Sequence, residues 1–125
     1  MASHGASILG VIANTAAYDE GDAWQADVLE YLDGNRRLLG DLLADLLPEV
    51  GYTPPQGTYL AWLDFRNTGL DGDLAEFFRE RAQVAPVNGA ACGKAGQGFV
   101  RFNFALPRPV LRQAVGQMAA AVRSA

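Results

Sequence analysis

Two rhythms of hydrophobic and polar positions divide the chain. From Ser7 to Tyr18, in "SILGVIANTAAY", Ile8, Val11, Ile12, Thr15 and Ala16 recur at helical spacing among other small residues, which predicts a buried helix. "DEGD" breaks it. Asp22 with Gln25 three residues on has the form of a capping box and opens a long amphipathic helix. The apolar stripe of that helix is Trp24, Val28, Leu32, Leu39, Leu42, Leu43 and Leu46, and Pro48 is its stop. Gly34 and Gly40 each weaken it by about 1 kcal/mol relative to Ala, which marks close packing or a bend. A helix this long in a small domain spans two bodies of structure.

After the turn "PPQG" the pattern changes. "TYLAWLDF" is apolar at odd and even positions alike and predicts a strand buried on both faces. Asp73 with Glu76 caps a short helix that turns Leu74, Phe77 and Phe78 inward. "VAPV" is a short strand interrupted by proline, hence an edge or a strand end. "NGAACGKAGQG" is a glycine-rich, mobile connection, and Phe99 to Phe104 is the next strand. Pro109 opens a last helix with Val110, Leu111, Ala114, Val115, Met118 and Val122 on one face. The order helix, helix, strand, helix, strand, strand, helix predicts an α+β layer: a small antiparallel or mixed sheet with helices on one face, preceded by the long helix.

Composition narrows the chemistry. With 125 residues, half of them apolar and 19% charged, the chain is one globular domain's worth. Ten Lys plus Arg against fourteen Asp plus Glu leave a net charge of −4 with no basic cluster, so neither nucleic acid nor an anionic membrane is expected as a partner. No apolar run approaches the roughly 18 residues of a spanning helix, and no signal peptide is seen. The single cysteine, Cys92, rules out an internal disulfide framework and suits a reducing cytoplasm. Lys94 is the one lysine and His4 the one histidine.

That scarcity removes most site types. Gly89 and Gly93 enclose three residues where a P-loop needs four, Ala95 follows Lys94 where Ser or Thr is required, and the loop enters a strand. Gly96 and Gly98 do not complete a dinucleotide fingerprint, since Arg101 stands at its third glycine. No metal spacing occurs, and one terminal histidine supports no hydrolytic triad. Cys92 reads as a small buried apolar residue. Trp62 and Asp64 share a strand face, with Asp64 capping or pairing with a buried arginine. Arg101 stands apart. Val100, Phe102 and Phe104 point to one side of their strand, while Arg101 and Asn103 point to the other. Alternation leaves two readings of Arg101 about level: an edge-strand salt bridge, or a guanidinium clamp for a carboxylate.

Four blocks then carry a resemblance. "GQGFVRFNFALPRPVL", "PPQGTYLAWLDFR", "SILGVIANTAAYDEGDAW" and "YLDGNRRLL" together resemble the C-terminal part of fold-type I pyridoxal-phosphate (PLP) enzymes. The likeness is to the branch that holds the MalY/PatB cystathionine β-lyases among the class I/II aminotransferases. It implies that residues 1–20 are a remnant of a large PLP-binding domain or a linker, and that residues 21–125 are the small domain with its inter-domain helix. It implies an amino-acid substrate whose α-carboxylate Arg101 binds, with Asn103 supporting the strand. PLP, the catalytic lysine and the cofactor-binding residues would belong to the large domain of a cytoplasmic homodimer, with no catalytic, cofactor or metal residue in this segment. Lys94 lies where the family has no catalytic lysine. Cys92 stands at the family's aromatic position, and Leu106 replaces the small hydroxyl residue that would cap the last helix. Such a cap is worth about 1 kcal/mol.

Overall fold

A computed structural model describes Gly5 and Ser7–Ala125; Met1–His4 and Ala6, and with them the lone histidine, lie outside the described residues. Contacts divide the chain into two units, Met1–Tyr31 and Leu32–Ala125. The first holds α1 (Ile8–Glu20) and the opening turns of α2 (Asp22–Leu46). α1 has no buried residue: Ile8, Leu9 and Ile12 are each exposed, as is Trp24 on α2. The expected buried helix is therefore a helix without cover in its own unit. Its apolar residues, among them Ile8, Leu9, Val11 and Ile12, are spread around the helix, so periodicity identifies a helix but no single face to bury. Asp22 is the first helical residue rather than a cap, and the Gln25 amide donates to Gly21 O at 2.9 Å.

In the second unit, β1 (Gly51–Tyr52), β2 (Leu60–Asp64), β3 (Val87–Asn88) and β4 (Phe99–Asn103) form an antiparallel sheet in the order β1-β2-β4-β3. β1 is absent from the sequence reading because two residues carry no period. The C-terminal half of α2, α3 (Leu74–Ala82) and α4 (Arg108–Arg123) supply the other side of the core. Leu39, Leu43 and Leu47 meet Ala61, Leu63, Val100 and Phe102 from the strands, and Leu111, Val115 and Met118 from α4. Phe65 and Phe78 pack with ring centroids 5.0 Å apart at 58°, a tilted geometry suited to the ring quadrupoles. The layer is α+β with its helices against one face, as the pattern predicts.

β2 departs from expectation. Ala61 and Leu63 are 1% and 0% exposed, whereas Trp62 between them is 37% exposed and Leu60 is half-buried. One face is core and the other is open. Apolar residues on the outer face disguise a half-buried strand as a doubly buried one.

Asp73 does cap α3: its Oδ1 accepts from the Ala75 and Glu76 amides at 2.9 and 3.0 Å. Those amide bonds, with help from Asn88, hold its carboxyl below the usual carboxylate range. Asp33, hydrogen-bonded by Arg36 and near Arg37, and Asp64, hydrogen-bonded by Arg66, are lowered too. A carboxylate with a depressed folded-state pKa stabilises the fold above its unfolded value of about 3.9, and that contribution is lost as pH falls through the still lower folded value. Asn caps as well as Asp but does not titrate. Asp73→Asn therefore keeps neutral-pH stability and loses less of it on acidification from about pH 5 to pH 2. Urea midpoints across that range check this.

The glycine-rich segment is two one-turn 3-10 helices, Gly89–Cys92 and Lys94–Gly96, folded back on each other. Gly89 and Gly96 are buried, and a Cβ on Gly96 would lie 2.1 Å from Gly89 O. The glycines allow backbone to touch backbone, so the loop is packed, not merely a mobile connection. Cys92 is exposed on it, contrary to the buried apolar role expected.

Candidate functional site

The open face of the sheet is set by register. Leu60, Trp62 and Asp64 of β2 lie opposite Asn103, Arg101 and Phe99 of β4, and Val87 of β3 lies on the far side of Arg101. The Trp62 ring stacks on Phe99 at 5.5 Å and 20°. Arg66 covers the same phenyl ring, with Cζ 4.6 Å from the centroid. Asp64 holds Arg66 by a bidentate pair, Nε to Oδ1 at 2.9 Å and Nη2 to Oδ2 at 2.7 Å. Asp64 thus pairs with an arginine, but an exposed one two residues along its own chain.

Arg101 sits beside this stack, half-buried. It forms no ion pair among the described residues, so the edge-strand salt bridge is absent. Its Nε is shielded from solvent and has no hydrogen-bond partner. A buried donor left unmade costs about 1–3 kcal/mol, more when charged, which makes Arg101 the candidate binding residue of this face. Backbone geometry makes it rigid. The Phe104 amide donates to Tyr59 O at 3.0 Å and the Phe65 amide to Gly98 O at 2.9 Å, so even positions of β4 bond to β2. The backbone of Arg101 consequently pairs with Val87 on β3.

β3 ends there. Beyond it, a groove of about 520 Å³ opens between β4, the segment leading into β3, and α4. Leu60, Val87, Asn103, Val110 and Gln113 line it, and Arg101 is its only charged residue. The side chain of Asn103 turns back on its own chain, with Oδ1 accepting from the Ala105 amide at 2.8 Å where the strand ends. Arg101 and Asn103 thus share the groove, while Lys94 stands exposed on the second 3-10 turn and does not line it.

Asn35 is absent from the sequence reading. It is wholly buried in α2, and Nδ2 donates to Phe104 O at 2.9 Å and Leu106 O at 2.7 Å. "DGNRR" reads as solvated, yet Asn35, Leu39 and Leu43 share one helix face at successive spacings of four, and that signal was available. α4 begins at Arg108, one residue before the expected Pro109, with Pro107 rather than Leu106 at its cap position and no side-chain cap. Two prolines, at 107 and 109, reduce the number of amides that need one.

As a fold this is a small α+β domain, and its candidate site is one arginine without an ion pair among the described residues, on the open face of a sheet. No protein-family model matches the chain. Comparison with known proteins nevertheless finds similar segments in curated relatives and in a solved PLP-bound C–S lyase. Escherichia coli MalY is 36% identical over 119 residues, covering 94% of this chain and 30% of MalY. A cystathionine β-lyase of Corynebacterium glutamicum is 35% identical over 120 residues, covering 92% of this chain and 30% of the enzyme. The structure of a PLP-bound C–S lyase from Staphylococcus hominis superposes with a TM-score of 0.90 at 31% identity, covering 97% of this chain and 33% of that one. The chain spans about a third of the length of the relatives it matches. Over that third its homologues are cystathionine β-lyases and C–S lyases, as the sequence blocks implied.

Proposed function

We propose that this chain is the C-terminal part of a PLP-dependent C–S β-lyase or aminotransferase, and that Arg101 binds the α-carboxylate of the amino-acid substrate. In this reading residues 21–125 are the small domain with its inter-domain helix, and residues 1–20 are a remnant of the large domain or a linker. The observation that carries this is the buried, partnerless Nε of Arg101 on a rigid strand inside a segment shared with C–S lyases. Holding the carboxylate at two points fixes the bonds at the substrate Cα in space, which is worth more to catalysis than affinity alone.

The described residues fit a carboxylate and do not fit PLP. The groove that Arg101 lines contains no lysine, and Lys94 is an exposed amine on a short turn. When bound, PLP supplies an electron sink at Cα; in this proposal the rest of a homodimeric, cytoplasmic enzyme holds it. This segment alone neither retains PLP nor turns over substrate.

The complete enzyme tests the reading. Incubated with PLP and cystathionine, it releases thiol and pyruvate in equal amounts if it is a lyase. With an α-keto acid added to accept the amino group, a new keto acid formed without thiol selects the aminotransferase, and neither product overturns the proposal. The exposed apolar surface of α1 favours a second reading, a stand-alone module that associates with itself. A monomer in sedimentation at high concentration contradicts that one.

A further inference from the structure

Asn35 combines features that a packing role does not explain. Positions 39 and 43 of the same helix face are leucine, the residue that fills such a site without polar atoms to satisfy. Asn35 instead brings an amide whose Oδ1 is buried with no partner. Both acceptors of its Nδ2 are carbonyls, so the orientation of the amide follows from chemistry: only the NH2 end can face them. The orphan Oδ1 is tolerated because those two carbonyls need a donor. Phe104 is the first residue past β4; its amide reaches Tyr59, and its carbonyl turns to Asn35. Leu106 lies before the uncapped start of α4.

The neighbours of Asn35 tie the same stretch of helix to the same place. Tyr52 of β1 donates its hydroxyl to Arg36 O at 3.1 Å. Gly34 leaves room for Arg108 of α4, whose Nη2 would lie 2.6 Å from a Cβ there. Residues 34–36 are thus fixed to β1, to the exit of β4 and to the start of α4. Arg101 is three residues back along the chain from Phe104.

We infer that Asn35 is a positioning residue for Arg101: by holding the carbonyls where β4 ends, it sets where the guanidinium meets a carboxylate, and it couples that position to helix α2. The inference rests on the reading of Arg101 as the carboxylate site.

A double-mutant cycle in the complete PLP-loaded enzyme tests it. Asn35→Leu keeps the branched shape with some added volume and removes the donor. Alone, it raises KM for the amino-acid substrate about tenfold, the scale of a lost buried hydrogen bond, with a smaller change in kcat. In an Arg101→Ala background it adds nothing, because the group it positions is gone. An equal penalty in both backgrounds makes Asn35 a general support of the fold and overturns the inference while leaving the carboxylate reading intact. An Arg101→Ala enzyme with unchanged KM overturns the carboxylate reading, and the inference falls with it. Where Asn35→Leu does not yield soluble protein, Asn35→Ser, which keeps one hydroxyl donor, takes its place in the cycle: a KM penalty confined to the Arg101 background supports the inference, and an equal penalty in both overturns it.

Discussion

Replacing Arg101 by lysine in the complete enzyme raises KM for amino-acid substrates by about 10²-fold and changes kcat much less. Lysine keeps the charge but loses the planar fork that meets both carboxylate oxygens, and a charge-assisted hydrogen bond is worth about 1.5–3 kcal/mol. The effect on stability runs the other way. Nε of Arg101 is buried without a partner, so Arg101→Leu removes an unsatisfied donor and leaves Tm unchanged or raised. A residue retained for packing shows the opposite pattern, with Tm lowered and KM unmoved. Steady-state kinetics and a thermal melt on the two variants separate these cases, and an unchanged kcat/KM in Arg101→Lys refutes the clamp.

The second large effect is structural. A Cβ on Gly96 lies 2.1 Å from Gly89 O, and one on Gly89 lies 2.3 Å from Gly96 O and 2.7 Å from Phe99 O. Each obstacle is backbone, so no rotamer change relieves it. Gly96→Ala destabilises the domain by about 2–4 kcal/mol, at or beyond the usual range for overpacking, and loosens the entry to β4. Gly116, inside α4 with nothing within 4 Å of an added Cβ, is the control. Gly116→Ala stabilises by about 0.5–1 kcal/mol through helix propensity. Urea titrations of the two variants check both signs; a Gly96→Ala protein as stable as its parent contradicts the packed loop.

What the sequence revealed follows from where burial imposes a period. β4 was legible because Val100 and Phe102 face the core and Arg101 and Asn103 do not. α3 was legible from Asp73, whose carboxylate has a local task at a helix start. The outer face of β2 was misread because Trp62 and Leu60 are apolar yet not in the core; Trp62 stacks on Phe99, a long-range partner that no local pattern names. α1 was read as buried because its composition demands cover, but composition does not say what supplies it. Asn35 went unread because a polar residue among charges looks solvated until its two carbonyl partners, about seventy residues away, are in place. The arginine was visible in the pattern, whereas its lack of an ion-pair partner among the described residues is a tertiary fact.

The most direct test of the central claim is a crystal structure of the complete PLP-loaded enzyme with a bound amino-acid inhibitor. The account predicts both oxygens of the inhibitor's α-carboxylate within about 3 Å of the guanidinium of Arg101, in a two-point pair. A carboxylate held by another residue, with Arg101 turned away from it, contradicts the account.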